Sequence, residues 1–141
     1  MKIAVIDGQG GGIGRAIVDK IRIAFGEDAH IIALGTNALA TAVMLKAGAN
    51  EGATGENAIM VNTKKVDIVV GSIAILVADA LTGELTQNMA IAIGRSKATK
   101  VLIPLNKCNI VLSGVVNEPL PHYIDDAIKI INNLKGGLNH V

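Results

Sequence analysis

Aromatic residues are nearly absent from this sequence, which has one Phe, one Tyr and no Trp among 141 residues. The stacking faces on which proteins hold single-stranded nucleic acid are therefore missing, and that class of function is excluded. An excess of one charge is missing too, since 13 Lys and Arg oppose 12 Asp and Glu. The net charge of +1 gives no field that would attract nucleic acid or an anionic membrane, so we expect neither as a partner.

Cysteine is equally scarce, since Cys108 is the only one. A single thiol excludes a disulfide framework and a multi-cysteine zinc site, and it fits a reducing cytoplasm. The three histidines are scattered without metal-ligand spacing, so we predict no metal. No signal peptide is recognisable, and the longest apolar stretch, residues 68–78, is too short to span a bilayer. We therefore expect a soluble cytoplasmic protein.

Aliphatic residues dominate what is present. Half of the chain is hydrophobic, so the core must be built from Ile, Val, Leu, Ala and Met. The length is typical of one domain, and no linker or repeat interrupts residues 1–141. A small sheet has difficulty covering all the apolar helix faces of such a chain, so we expect a homodimer.

Short aliphatic runs alternate with helical periodicities, which indicates an α/β fold with a mainly parallel sheet. Strands are predicted at residues 3–6, 30–34, 67–71, 100–104 and 109–112. Helices are predicted at residues 13–25, 37–47, 54–64, 73–81, 87–94 and 121–135. The loop before the last strand is too short for a helical crossover, so that strand should be antiparallel or a continuation after a kink. The pattern predicts a Rossmann-like three-layer sandwich with about five strands.

Glycines cluster in residues 8–14, between the first strand and the first helix. Glycine permits positive φ, lets a backbone approach a pyrophosphate without a Cβ, and lets a helix pack closely on a strand. The exposed N–H groups at the positive end of the helix would then hold a phosphate. The alternative is a glycine-rich turn with a purely structural role.

The spacing of these glycines departs from G-x-G-x-x-G and matches G-x-x-x-G-I-G at Gly8, Gly12, Ile13 and Gly14. Over roughly residues 1–37 this resembles the nucleotide-binding loop of the short-chain dehydrogenases, which implies NAD or NADP as cofactor. The Tyr-x-x-x-Lys pair of those enzymes is absent. The resemblance therefore extends to the loop and not to the chemistry, and a self-contained dehydrogenase is not expected.

A second resemblance spans nearly the whole chain. Residues 1–14, 32–41, 52–58 and 104–109 look like a family of short uncharacterised proteins from anaerobic bacteria. That resemblance implies a Rossmann-like fold and no particular reaction.

In a doubly wound sheet, ligands bind beyond the carboxyl ends of the strands. The polar segments that would meet there supply the predicted nucleotide-binding residues: Gly8, Gln9, Gly10, Gly11, Gly12, Ile13, Gly14, Gly35, Thr36, Asn37, Gly71, Ser72 and Asn106. Lys107 would neutralise a phosphate there or lie solvated in its loop. Cys108 beside it is either a candidate catalytic nucleophile or a packed small hydrophobe.

The corner after the second strand lacks the acid that normally accepts the ribose hydroxyls of NAD, and it lacks an arginine for NADP. Thr36 and Asn37 stand there instead, either to bind a ribose or phosphate or to cap the next helix. An uncharged corner predicts affinities for NAD and NADP that differ by less than about tenfold. Residues 52–58 are a lid or a capped turn. Residues 80–86 are a polar break interpreted as structural, in which Thr86 is placed to cap the helix that begins at residue 87.

Three functions remain open from the sequence. The leading hypothesis is a nucleotide- or dinucleotide-binding protein that serves as a sensor or as a subunit beside a catalytic partner. The second is a small enzyme acting on a nucleotide-linked or phosphorylated metabolite, with Asn106, Lys107 and Cys108 at the reacting end. The third is an interaction protein whose glycine loop is purely structural.

Overall fold

The computed structural model describes residues 1–105 and 108–138. The strands are β1 (Lys2–Asp7), β2 (His30–Gly35), β3 (Glu51–Thr54), β4 (Ile68–Ser72) and β5 (Thr99–Ile103). The helices are α1 (Gly12–Phe25), α2 (Ala38–Ala47), α3 (Glu56–Asn62), α4 (Gln87–Arg95) and α5 (Leu120–Leu138). Short 3-10 turns follow α1 at Gly26–Asp28 and β4 at Ile73–Leu76. No helix in the described part of the chain is long and apolar enough to cross a membrane.

The five strands form one sheet in the order β3-β2-β1-β4-β5, and every neighbouring pair is parallel. The predicted Rossmann-like α/β class is therefore confirmed. The chain builds the sheet outward from β1 to β3, then returns and builds the other half from β4 to β5. This reversal places a crevice beyond the carboxyl ends of β1 and β4, where ligands of such folds bind.

Helices cover both faces of the sheet because β1 is apolar on both sides. Ile3 and Val5 pack in one cluster with buried residues of α1, α2 and α5. Ala4 and Ile6, which point the other way, pack in a second cluster with buried residues of α3 and α4. The result is three layers with an aliphatic core on each side of the sheet.

Local signals set the helix ends. The Asn37 side chain accepts a hydrogen bond from Ala40 N at 2.9 Å and caps α2, while Gly48 ends that helix with a φ of 126°. The Thr86 side chain accepts from Met89 N at 3.2 Å and caps α4. The predicted capping roles of Asn37 and Thr86 are confirmed.

The predicted strand at residues 109–112 is wrong. These residues form no strand, Asn109 has a φ of 58° and Val111 is 84% exposed. The fifth strand is β3 instead, an edge strand whose sequence EGAT lacks the apolar pattern that marks a strand. An edge position tolerates such residues because only one side of the strand is paired.

The predicted helix at residues 73–81 is also wrong. Only the turn Ile73–Leu76 is helical, and tight turns with positive φ at Asp79, Leu81 and Thr82 follow it. Ile75 and Ala80 are buried, so the apolar character of this stretch reflects packing on the sheet. Apolar composition alone does not distinguish these arrangements, because it carries no period.

Candidate functional site

One carboxylate fixes both ends of the glycine loop. Asp7 is the last residue of β1 and is 7% exposed. Its Oδ1 accepts from Gly8 N at 2.8 Å, and its Oδ2 accepts from Gly14 N at 2.7 Å in the first turn of α1. Between them, Gly11 N donates to Gly8 O at 2.9 Å. Residues 8–14 therefore form a tight, internally bonded turn before α1.

Several glycines of the predicted site are required by packing. A Cβ added at Gly11, where φ is 75°, would lie 2.9 Å from Ala40 Cα in the backbone of α2. Added Cβ atoms elsewhere would contact side chains of β1, α2 or the β2–α2 corner too closely. The glycines concerned are Gly11, Gly14 and Gly35, whereas the atoms near a Cβ at Gly8 are ends of flexible side chains that can move. At Gly11, Gly14 and Gly35, close packing alone explains why the residue is glycine.

Gly10 and Gly12 differ from the others. A Cβ at either would meet no atom within 4 Å, and neither has a positive φ. Nothing in the described fold therefore requires a glycine at these two positions.

The first backbone N–H groups of α1 are available beside these two glycines. No side chain caps α1 at Gly11, and the N–H groups of Gly12 and Ile13 have no hydrogen-bond acceptor among residues 1–105 and 108–138. These groups carry the partial positive charge of the helix N-terminus.

Two cations line the same groove as Gly12. A groove of about 810 Å³ runs between α1 and α2, and it is lined by Gly12, Arg15 and Lys46, with Asp19 as its one acid. Neither Arg15 nor Lys46 is among the nucleotide-binding residues predicted from the sequence. The sequence does carry one signal for Arg15, because it lies in the first turn of the helix that follows the glycine loop, where a cation can reach a bound phosphate.

A carboxylate from a distant part of the chain occupies the β2–α2 corner. Oε1 of Glu84 accepts from Gln9 N at 2.9 Å, from Thr36 Oγ1 at 2.7 Å and from Asn37 Nδ2 at 2.7 Å. These hydrogen bonds, that from Thr36 most of all, hold the pKa of Glu84 below its ordinary value. The expectation of an uncharged corner is therefore wrong, because the acid is supplied by the segment before α4 rather than by the end of β2.

The remaining predicted residues lie at different depths. Gly71 and Ser72 end β4 and are buried, and a Cβ at Gly71 would lie 2.8 Å from Ile6 O. They support the sheet beneath the loop and do not reach its open surface. Asn106 and Lys107 lie outside the described residues. Cys108 is exposed and, with Gln9 and Thr82, lines a cavity of about 480 Å³ beside the loop.

Residues 52–58 form neither a lid nor a side-chain-capped turn. They run from β3 into α3, whose first turn follows Gly55 without a capping side chain. Thr54 Oγ1 lies 2.8 Å from Thr41 Oγ1, and Glu56 accepts from Thr86 Oγ1 at 2.6 Å. This segment is held in the fold beside the site.

A parallel sheet in this order, with helices on both faces and a glycine loop beyond β1, defines a Rossmann-like α/β protein. The chain belongs to the family described as "Domain of unknown function (DUF3842)", whose model matches residues 2–135. The predicted resemblance to an uncharacterised Rossmann-like family is thereby confirmed.

No curated protein matches this chain. One solved structure that matches is a universal stress protein in complex with cAMP, with 23% identity and a TM-score of 0.40. That match covers 71% of this chain and 94% of the other.

Proposed function

We propose that this protein binds a phosphate-containing small molecule of the nucleotide class on the open side of its glycine loop. The observation that carries the proposal is the open space at Gly10 and Gly12, where nothing in the described fold requires a glycine. Close approach of a ligand supplies that role, because a Cβ at either position would stand between the backbone and a phosphate.

The polarity of this surface suits an anion. The N–H groups of Gly12 and Ile13 point out of the first turn of α1, so one phosphate oxygen can accept from both. Arg15 and Lys46 add positive charge along the adjoining groove. Hydrogen bonds to a charged group contribute about 1.5–3 kcal/mol each, which is enough for micromolar binding when several act together.

A dinucleotide such as NAD or NADP is the ligand we propose first. Its phosphates would lie at the loop and its adenosine would extend toward Thr36 and Asn37, as in other proteins with this strand order. We propose that the protein serves as a sensor or as a binding subunit. A homodimer and a cytoplasmic location remain part of this proposal.

The test is a thermal-shift screen with NAD, NADP, FAD, ATP and sugar nucleotides, followed by calorimetric titration of the compounds that stabilise the protein. Gly12→Val should abolish binding and leave the fold intact, because the added side chain enters empty space on the ligand side. Gly94→Val is the matched control, since Gly94 is also exposed and unhindered but lies in α4. Wild-type affinity in Gly12→Val would contradict the proposal.

A further inference from the structure

We propose that residues 77–86 form a strap that closes the β2–α2 corner beside the glycine loop, and that an anionic ligand displaces the Glu84 carboxylate to bind there. This inference rests on the proposed function. The Glu84 carboxylate would compete with the ligand for the same donors and so lower the apparent affinity of the site for that ligand.

The carboxylate holds the donors that a ligand would need. Gln9, Thr36 and Asn37 are all predicted ligand-binding residues, and each donates to the same oxygen of Glu84. An oxygen that accepts three hydrogen bonds is bound as a phosphate oxygen would be, by backbone and side-chain donors at the start of two helices. A ligand that reaches the corner must therefore replace the carboxylate.

The strap also covers the first two residues of the loop, Gly8 and Gln9. A Cβ at Gly8 would lie 2.9 Å from Leu81 Cδ1 and 3.1 Å from Glu84 Oε1. Gln9 Nε2 also donates to Thr82 Oγ1 at 3.3 Å. The route from the phosphate position to the β2–α2 corner is closed while these contacts persist.

The strap is anchored at its base and strained at its tip. Ala80 and Leu85 are buried, and Leu85 N donates to Ala80 O at 3.1 Å. Between them Leu81, Thr82 and Gly83 have φ values of 57°, 57° and 87°, a conformation that Leu and Thr rarely adopt. Such strain occurs at switch segments, where an alternative conformation of similar free energy is available. The hydrogen bonds of Glu84 hold the strained tip on the loop.

The test compares the affinities of wild type, Glu84→Gln and Gly83→Ala for NAD and for inorganic pyrophosphate by calorimetry. Glu84→Gln removes the charge that competes with the ligand, so binding should tighten about fivefold or more as the closed fraction falls. Gly83→Ala strains the closed strap further without changing charge and should tighten binding in the same direction, by a smaller factor. If Glu84→Gln fails to fold, Gly83→Ala still tests whether opening the strap tightens binding. Glu27→Gln, an exposed charge change outside the site, should bind as wild type does.

The outcomes separate the two proposals. Equal affinities in wild type, Glu84→Gln and Gly83→Ala would overturn the strap and leave the binding function intact. Weaker binding by Glu84→Gln would also overturn it, because Glu84 would then assist the ligand. If no protein binds either probe, both proposals fail.

Discussion

Asp7 illustrates how much one buried residue contributes to this site. Its two carboxylate oxygens bind backbone N–H groups of Gly8 and Gly14, which lie on either side of the glycine turn. The carboxylate therefore stabilises the loop whether or not a ligand is present. It also takes one N–H of α1 and leaves those of Gly12 and Ile13 open to the outside.

We expect Asp7→Ala to lower the free energy of unfolding by about 2–4 kcal/mol, since it removes two charge-assisted hydrogen bonds from a buried position. Urea denaturation measures the change. Asp67→Ala is the control, because Asp67 accepts from Lys2 N at 2.8 Å at the other end of β1 but is exposed. A loss of less than about 1 kcal/mol is expected there. Equal losses in the two variants would contradict the role given to Asp7.

At the scale of elements, the connection between β4 and α4 carries the charge that shapes the site. The sequence treats residues 80–86 as a polar break, and Thr86 does cap α4 as predicted. Glu84 is indistinguishable from a solvated acid until the fold brings it to Gln9 and Thr36, which are 75 and 48 residues away in the chain. The same holds for β3, whose pairing with β2 is the reason that it is a strand.

The hydrogen bonds of Glu84 predict a pH dependence. They hold its pKa below the ordinary value of 4.5, so the ionised carboxylate stabilises the folded state. This contribution is complete above about pH 4.5 and is lost as the pH falls through the lowered folded-state pKa. The difference in unfolding free energy between wild type and Glu84→Gln should therefore be constant near neutral pH and change below about pH 4.5.

Urea titrations of both proteins between about pH 3 and pH 7 measure this difference. Lys135 lowers the pKa of Asp28 as well, but that effect is present in both proteins and cancels. A difference that does not vary with pH would show that the carboxylate at the corner does not stabilise the fold.

At the scale of the whole molecule, the surface retains large apolar side chains. Ile23, Val111 and Val116 are each more than 70% exposed, and Ile130 is 48% exposed. Val116 and Ile130 line one groove beside the edge strand β5. Apolar residues next to an open strand edge favour self-association.

We therefore expect a homodimer in sedimentation experiments at micromolar concentration. Ile130→Glu should shift the protein toward monomer, because a charge in the groove would have to be desolvated at the contact. Lys129→Gln, one residue away in α5, is the control, because it lowers the net charge by the same one unit. A species of 14.5 kDa in wild type would contradict the prediction.

The sequence by itself determined the elements whose signals are local. The apolar runs of β1, β2 and β4 require burial on both faces, and Asn37, Gly48 and Thr86 mark helix ends through bonds to residues within four positions. The tertiary structure alone decided which glycines serve packing and which are open, because that depends on α2 and the β2–α2 corner lying against the loop. It also decided that the β2–α2 corner is charged. Glu84 meets Gln9, Thr36 and Asn37 only after β4 has paired with β1 and the chain has turned back over the carboxyl ends of the strands. Local hydrogen bonds and periodicity are encoded in neighbouring residues, whereas contacts between distant segments exist only once the sheet has formed.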